Sequence, residues 1–345
     1  MRELQNLIKM SKYAGGRVDL TQASGGNSSV KTGEIMLIKS SGCLLGDLDV
    51  TVGYAKVNLK KLLQILADNE IINTKDPSTL SQVVSPKIMS AVIAGAKPSI
   101  EVLMHGQLGK YVLHTHPITI NALTCQKNWQ QQLQKLFPQA LLIEYINPGI
   151  ALDIRLYHEL RNKNVDINEQ VIIFLQNHGL VVSSNSMEEV IATTEAIVKK
   201  AEDYLRYTHE EYILSAKISD YLATKDEDNQ ICYLCQDQEI NKILQSNKEL
   251  FFMPIFAPVM YLYNGMSAFE IKELYDKKPL QNYRDKFNEN PRIILYKNKV
   301  YLRAQNLGKA HEMEDVLKAN LFILIKAKDN MRYLTEQELK ELSYL

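Results

Sequence analysis

Glu101 to Pro117, EVLMHGQLGKYVLHTHP, is the stretch on which the reading of this chain turns. Tyr111-Val112-Leu113 has the β-branched and aromatic content of a strand. Residues two apart on a strand share a face, so His114 and His116 present two imidazoles side by side while Thr115 points away. Pro117 has no amide hydrogen and ends the pairing. Two imidazoles on a rigid face begin a zinc site, which needs a third protein ligand to be catalytic; two half-exposed histidines at a strand end is the plainer alternative. Upstream, Pro98-Ser99 reads as a helix start, which sets Glu101 and His105 four apart on one helical face. His105 reads as a histidine packed beneath that helix rather than a ligand. Glu101 is either a carboxylate favoured by the helix dipole or a base close to a metal.

Working outward, Thr21 to Lys31 (TQASGGNSSVK) is a run of small residues. Its paired glycines permit positive φ, and its amides and hydroxyls could face an anion, or it is an ordinary turn. Ile35 to Lys39 reads as a strand running into a second hydroxyl-rich turn, Ser40-Ser41-Gly42. Leu4 to Tyr13 and Asn58 to Ala67 have helical spacing. Asn69 to Val84 is polar and reads as a loop, with a short helix from Ser85-Pro86 to Ile93. Beyond the histidines, Ile118 to Cys125 is helical, and Leu141 to Ile146 is an apolar strand closed by Asn147-Pro148-Gly149. A helix follows over Ala151 to Asn162. Val171 to Leu175 is the most continuous apolar run, as for a strand buried on both faces. It delivers Gln176-Asn177-His178-Gly179 ahead of a second strand, Leu180 to Val182. His178 is the third candidate ligand, or a cap on that hairpin. Met187 to Tyr207 reads as a long helix.

The chain has 345 residues, 46% of them hydrophobic, enough for a sizeable core and two lobes at roughly 100–200 residues per domain. Forty basic and 40 acidic residues leave no net charge to attract nucleic acid or an acidic membrane surface. No apolar run is long enough for a bilayer span, and the N-terminal residues lack a signal-peptide core. Four cysteines do not make a disulfide framework, so a cytoplasmic location is expected. The lone pair Cys232 and Cys235 reads as neighbouring structural thiols.

GGNSSVK, IKSSG, KPSIE, the spaced Met104-His105 and HTHP, and NHGLVV occur here in the order in which they occur in the class II aldolase/adducin family. The resemblance covers about Leu4 to Leu214. Its wording is most similar to the aldolase portion of bacterial rhamnulose-phosphate aldolase/dehydrogenase fusion proteins. The resemblance implies zinc bound by His114, His116 and His178, with Mn²⁺, Fe²⁺ or Co²⁺ as possible replacements. It implies Glu101 as the acid/base, and a phosphate cradle of Gly26, Asn27, Ser28, Ser41, Gly42 and Ser99. Tyr145 matches a tyrosine that serves a neighbouring subunit's site, which implies a homo-oligomer with a tetramer favoured. Ile100 departs from the family, standing where the smaller aldolases have a second phosphate-binding serine. The expected activity is cleavage of a ketose 1-phosphate, rhamnulose- or fuculose-phosphate-like, to dihydroxyacetone phosphate and an aldehyde. The alternatives are a sugar-phosphate epimerase or dehydratase on the same scaffold, or an adducin-like binding protein; the last lacks the zinc histidines.

The expected fold is an α/β class II aldolase-like three-layer arrangement, a central mostly antiparallel sheet covered by helices, with a smaller C-terminal α/β lobe. The polar run Thr224 to Asn229 reads as the linker between residues 1–223 and 231–345.

Overall fold

In a computed structural model, which describes residues 2–74, 76–223, 230–327 and 330–342, the chain forms two compact units, Met1–His209 and Glu210–Leu345. The division falls ahead of helix Glu210–Leu222 because its Leu214, Ile218, Tyr221 and Leu222 belong to a core of the second unit. The expected linker Thr224 to Asn229 lies outside the described residues.

The first unit is built on eight strands: β1 (Asn27–Thr32), β2 (Ile35–Lys39), β3 (Tyr54–Asn58), β4 (Val92–Gly95), β5 (Tyr111–Thr115), β6 (Leu141–Ile143), β7 (Val171–Leu175) and β8 (Gly179–Ser184). They lie in the order β4-β3-β2-β1-β5-β8-β7-β6. Every neighbouring pair is antiparallel except β6 with β7. Strands β1 to β4 lie in chain order; a short turn joins β1 to β2, whereas helices Leu59–Leu66, Asn69–Asn73 and Pro77–Ala91 intervene between β3 and β4. Strand β5 then enters between β1 and β8, so residues far apart in sequence meet at the centre.

Alternation along these strands feeds two apolar layers. On one face Val30, Leu37, Leu113, Leu180 and Val182 meet Leu7, Ile8 and Met10 of helix Arg2–Gly15 and Val190, Ile197 and Val198 of helix Met187–Leu205. On the other, Met36, Ile38 and Val57 meet helices Leu59–Leu66 and Pro77–Ala91, while Val112, Ile173 and Val181 meet Met104, Leu152 and Leu156. Each such Val, Leu or Ile contributes about 1.5–3 kcal/mol by leaving water. Covered on both faces, the sheet is the three-layer α/β fold expected.

Three stretches differ from the sequence reading: the helix expected through Ile93 ends at Ala91, with Val92–Gly95 forming β4, and two others depart further. Asn69 to Val84 is largely helical, as Asn69–Asn73 and Pro77–Ala91, the second continuing through Pro86. The polar residues that suggested a loop include the caps: Asp68 accepts from the amides of Glu70 and Ile71, and Asp76 from that of Thr79. Such a cap is worth about 1 kcal/mol. Leu80, Val84 and Ile88 supply the buried stripe at intervals of four. The strand expected over Leu141 to Ile146 ends at Ile143, leaving Tyr145 exposed beyond it.

The second unit has its own four-stranded sheet of β9 (Ile231–Leu234), β10 (Phe269–Glu270), β11 (Ile293–Tyr296) and β12 (Lys299–Ala304), in the order β10-β11-β12-β9. Helices Gln238–Ser246 and Leu307–Ala327 cover one face, and Glu210–Leu222 and Lys278–Phe287 the other. Cys232 and Cys235 sit in separate apolar clusters of this unit. Burial pushes both thiols far above their ordinary range, which leaves them inert at neutral pH. No helix among the described residues is long and apolar enough to cross a membrane.

Candidate functional site

Strand β5 and the β7–β8 turn bring three imidazoles together. His114 is fully buried, and its Nδ1 donates to the carbonyl of Leu180 at 3.0 Å, which turns its Nε2 lone pair towards the other two rings. His114 Nε2 lies 3.1 Å from His116 Nε2 and 3.3 Å from His178 Nε2. All three ligand atoms fall within 4.8 Å of one another. His178 is delivered by a tight turn in which Asn177 takes a positive φ of 54°. Gly179 is required there because a Cβ on it would sit 2.3 Å from the Thr115 carbonyl oxygen. Gly25 makes similar room, since its Cβ would meet His116 Nδ1 at 2.7 Å.

Burial holds all three imidazoles below the ordinary value, His116 at about 4, with the neighbouring rings disfavouring charge on His114 and His116 as well. The rings are therefore neutral at pH 7, the form that ligates a metal. A tetrahedral ion with Zn–N bonds of ~2.0–2.1 Å sets its ligand nitrogens about 3.3 Å apart. The separations of 3.1 and 3.3 Å fit one such ion.

Glu101 faces this cluster. It is 3% exposed, with Oε1 3.5 Å from His178 Nε2 and Oε2 3.6 Å from His114 Nε2. Oε2 accepts from Asn27 Nδ2 at 2.7 Å, whereas Oε1 is buried without a hydrogen-bond partner. Burial pushes the carboxyl up to about 7, against the opposing pull of the Asn27 hydrogen bond and the Lys39 charge.

The expected phosphate cradle is only partly assembled. Ser99 Oγ accepts from Asn27 Nδ2 at 3.0 Å, leaving its own proton to donate. Ser41 and Gly42 are exposed on the adjacent turn, where the Ser41 amide donates to Lys97 O. Gly26 takes a φ of +70°, and a Cβ on it would meet the His114 carbonyl oxygen at 2.7 Å. The Asn27 side chain is engaged with Glu101 and Ser99. The Ser28 side chain lies on the opposite face of β1, its hydroxyl 2.6 Å from that of Ser11, so strand alternation removes it from the site. Tyr145 is 56% exposed, and its hydroxyl donates to Asn147 Oδ1 at 3.3 Å.

Two groups near Glu101, Lys39 and Asp153, escaped the sequence reading. Lys39 ends β2 with 3% exposure and donates to the Ser24 carbonyl at 3.1 Å. Burial lowers its ammonium pKa, while the charge of Glu101 partly restores it. Asp153 is fully buried, and burial, then the charge of Glu101, raise it well above the carboxylate range. His105 is packed under its helix as expected, but both ring nitrogens are engaged, Nδ1 with Ser29 Oγ at 2.7 Å and Nε2 with Asn27 Oδ1. Lys39 closes an apolar strand pattern, and a terminal lysine there reads as solvated; only its burial distinguishes it.

Beside Ser99 and Ile100 opens a cavity of about 650 Å³, lined also by Leu80, Met89, Pro148 and Ile150.

A curated relative, the uncharacterized oxidoreductase YuxG of Bacillus subtilis (strain 168), is 24% identical over 213 residues, covering 59% of this chain and 29% of the relative. The chain thus spans under a third of that relative's length. Among solved structures, the N-terminal class II aldolase domain of a conserved protein from Thermoplasma acidophilum superposes with a TM-score of 0.49 at 23% identity, over 58% of this chain and 92% of that one. The L-fuculose-1-phosphate aldolase from Thermus thermophilus does so with a TM-score of 0.40 at 15% identity, over 60% and 94%. The family described as Class II Aldolase and Adducin N-terminal domain matches residues 5–205. With more than half of its length so matched, the chain belongs to the class II aldolase and adducin family.

Proposed function

We propose that this protein is a zinc-dependent aldolase that cleaves a ketose 1-phosphate reversibly to dihydroxyacetone phosphate and an aldehyde. The observation that carries the reading is the cluster of three neutral imidazole nitrogens with one unpartnered carboxylate oxygen 3.5 Å from it. His114, His116 and His178 would hold the ion, which supplies Lewis-acid polarisation of substrate oxygens. Glu101 Oε1 takes the proton from the carbon next to the carbonyl of dihydroxyacetone phosphate in the synthetic direction, and returns it in cleavage. A carboxyl pushed up to about 7 is able to do both near neutral pH. The substrate's phosphate is held by the Lys39 ammonium, the Ser99 hydroxyl and the turn residues Gly26, Ser41 and Gly42. Tyr145, lent by a neighbouring subunit, relays a proton to the aldehyde oxygen. The cavity beside Ser99 has the size of a small-molecule pocket, typically ~300–1,000 Å³, but of these site residues only Ser99 lines it, so it is not itself the space between the histidines and Glu101.

The direct test is product analysis. Metal-loaded protein is incubated with a panel of ketose phosphates, including L-rhamnulose 1-phosphate and L-fuculose 1-phosphate, and products are read by mass spectrometry. Dihydroxyacetone phosphate is the expected product; an isomer of the substrate, or its dehydrated form, without three-carbon fragments would replace the aldolase with an epimerase or dehydratase. Metal analysis checks the ligands independently. His178→Ala should lose most of the roughly one ion per chain, while His105→Ala should keep it; equal loss in both would mean that the ligand set is wrong.

A further inference from the structure

Asn27, Ser29 and Lys31 alternate on one face of β1, and all three side chains bond to the segment that runs from Ser99 to Gly109. Asn27 Nδ2 donates to Ser99 Oγ at 3.0 Å and to Glu101 Oε2 at 2.7 Å. Ser29 Oγ lies 2.7 Å from His105 Nδ1. Lys31 Nζ donates to the carbonyls of His105 at 2.6 Å, Leu108 at 2.9 Å and Gly109 at 2.6 Å. The last three close the C-terminal end of helix Val102–Gly106, whose first flanking residue is Glu101. One strand face thus grips that helix from end to end.

The hydrogens in this chain are fixed by counting donors. Both Asn27 amide hydrogens are directed at Ser99 and Glu101, so its Oδ1 is the atom that faces His105. An amide oxygen only accepts, so His105 carries its proton on Nε2 and its Nδ1 accepts from Ser29. Burial, reinforced by the Lys31 and Lys39 charges, holds His105 neutral, consistent with a single ring proton. Flipping the Asn27 amide would set its oxygen against the Glu101 carboxylate and its NH₂ against the His105 N–H. With His105 in this tautomer, the ring N–H and the Glu101 carboxylate together oppose the flip, and Asn27 gives a donor to Oε2. Oε1 is left as the oxygen without a partner, beside His178.

We infer that His105 is a positioning residue for Glu101: through Asn27 it fixes which carboxylate oxygen is held and which is free to exchange a proton with substrate. The inference rests on the reading of Glu101 as the proton-transferring group. It gives the Asn27, Ser29 and Lys31 side chains of the GGNSSVK motif a part in aligning the base, apart from any contact with phosphate.

The experiment uses intact, metal-loaded protein and dihydroxyacetone phosphate alone in D₂O, with loss of its carbon-bound proton followed by NMR. This half-reaction needs no knowledge of the aldehyde. Wild type should exchange, and Glu101→Gln should not. His105→Phe, which keeps a ring but no donor, should retain its metal and its KM for exchange while the rate falls about tenfold to a hundredfold, the cost of a misplaced reacting group. His105→Gln, whose amide nitrogen can replace Nε2–H, should recover most of that loss. Wild-type exchange that is absent, or unimpaired in Glu101→Gln, would sink the base reading and this inference with it. If those two behave as expected, a rate in His105→Phe within threefold of wild type, or no recovery in a folded, metal-loaded His105→Gln, overturns the inference alone. Should His105→Phe fail to fold, imidazole ¹⁵N shifts of the wild-type protein decide: His105 should be the Nε2–H tautomer, and the Nδ1–H tautomer would overturn the assignment.

Discussion

Glu101 combines deep burial with a single fixed hydrogen bond, and the two act in opposite directions on its carboxyl. Burial disfavours the anion and the Asn27 amide favours it, with burial prevailing. Glu101→Gln preserves size and hydrogen-bonding reach while removing proton acceptance. The variant should keep its metal and its fold and lose ~10²–10⁴ in turnover; turnover near wild type on the true substrate would mean that another group moves the proton. The histidines allow a second prediction, for metal-free protein. The unfolded chain takes up protons near 6.5, whereas the folded cluster resists them, His116 down to about 4. For the histidines the unfolded state therefore binds more protons in this window, so their contribution to stability falls as pH drops from 6.5 towards 4, opposed by the raised carboxyls of Glu101 and Asp153. Denaturation midpoints of chelated protein at pH 7 and pH 5 measure it. The change from pH 7 to pH 5 should be less destabilising in His116→Gln than in wild type, and an equal change in both would contradict the depressed titration.

The β7–β8 turn is the element on which the cluster depends most narrowly. Gly179→Ala would place a methyl 2.3 Å from the Thr115 carbonyl and 3.0 Å from His116 Cδ2. Overpacking of this kind costs about 1–3 kcal/mol, and the strands that carry all three histidines must shift to relieve it. The expected outcome is a lower Tm together with weaker metal binding; a variant that binds metal like wild type would show that the turn has slack. This turn was legible in the sequence because the apolar run Val171 to Leu175 ends abruptly on Asn-His-Gly. The β5 histidines were legible for a similar reason, since period-two alternation puts them on one face whatever surrounds them. The helix Pro77–Ala91 was not, because its caps and its internal Pro86 share the composition of a loop and its apolar stripe is diluted by serines. Nor could sequence alone say that Ser28 turns away from the site while Asn27 turns in. The strand's register decides that, and it becomes known only when Asn27 is seen opposite His114. Lys39 and Asp153 were missed because their importance lies in burial, which tertiary contacts create.

Across the whole molecule, each candidate site residue belongs to the first unit, Met1–His209, including the exposed Tyr145. A tyrosine that serves an adjacent copy requires a closed ring in which every chain both lends and receives one. Glu101→Gln and Tyr145→Phe are each expected to be nearly inactive alone. Mixed after dissociation and reassembly, they should regain part of the activity, because some sites then hold an intact Glu101 and an intact Tyr145. No recovery after demonstrated subunit exchange, or a fully active monomer, would rule out a shared site. The sheet order has a consequence of another kind. Strand β5 lies between β1 and β8, so the centre of the sheet needs chain from Asn27, Tyr111 and Gly179 at once. On the ribosome β2 and β3 find both partners among β1 to β4, while β1 keeps one edge open for β5. The imidazole cluster has no partial form, and a nascent chain gains it only after β8 has emerged from the exit tunnel. Until then His114 and His116 wait on a strand with one open edge, so translation speed between Pro117 and Gly179 sets how long that edge stays uncovered.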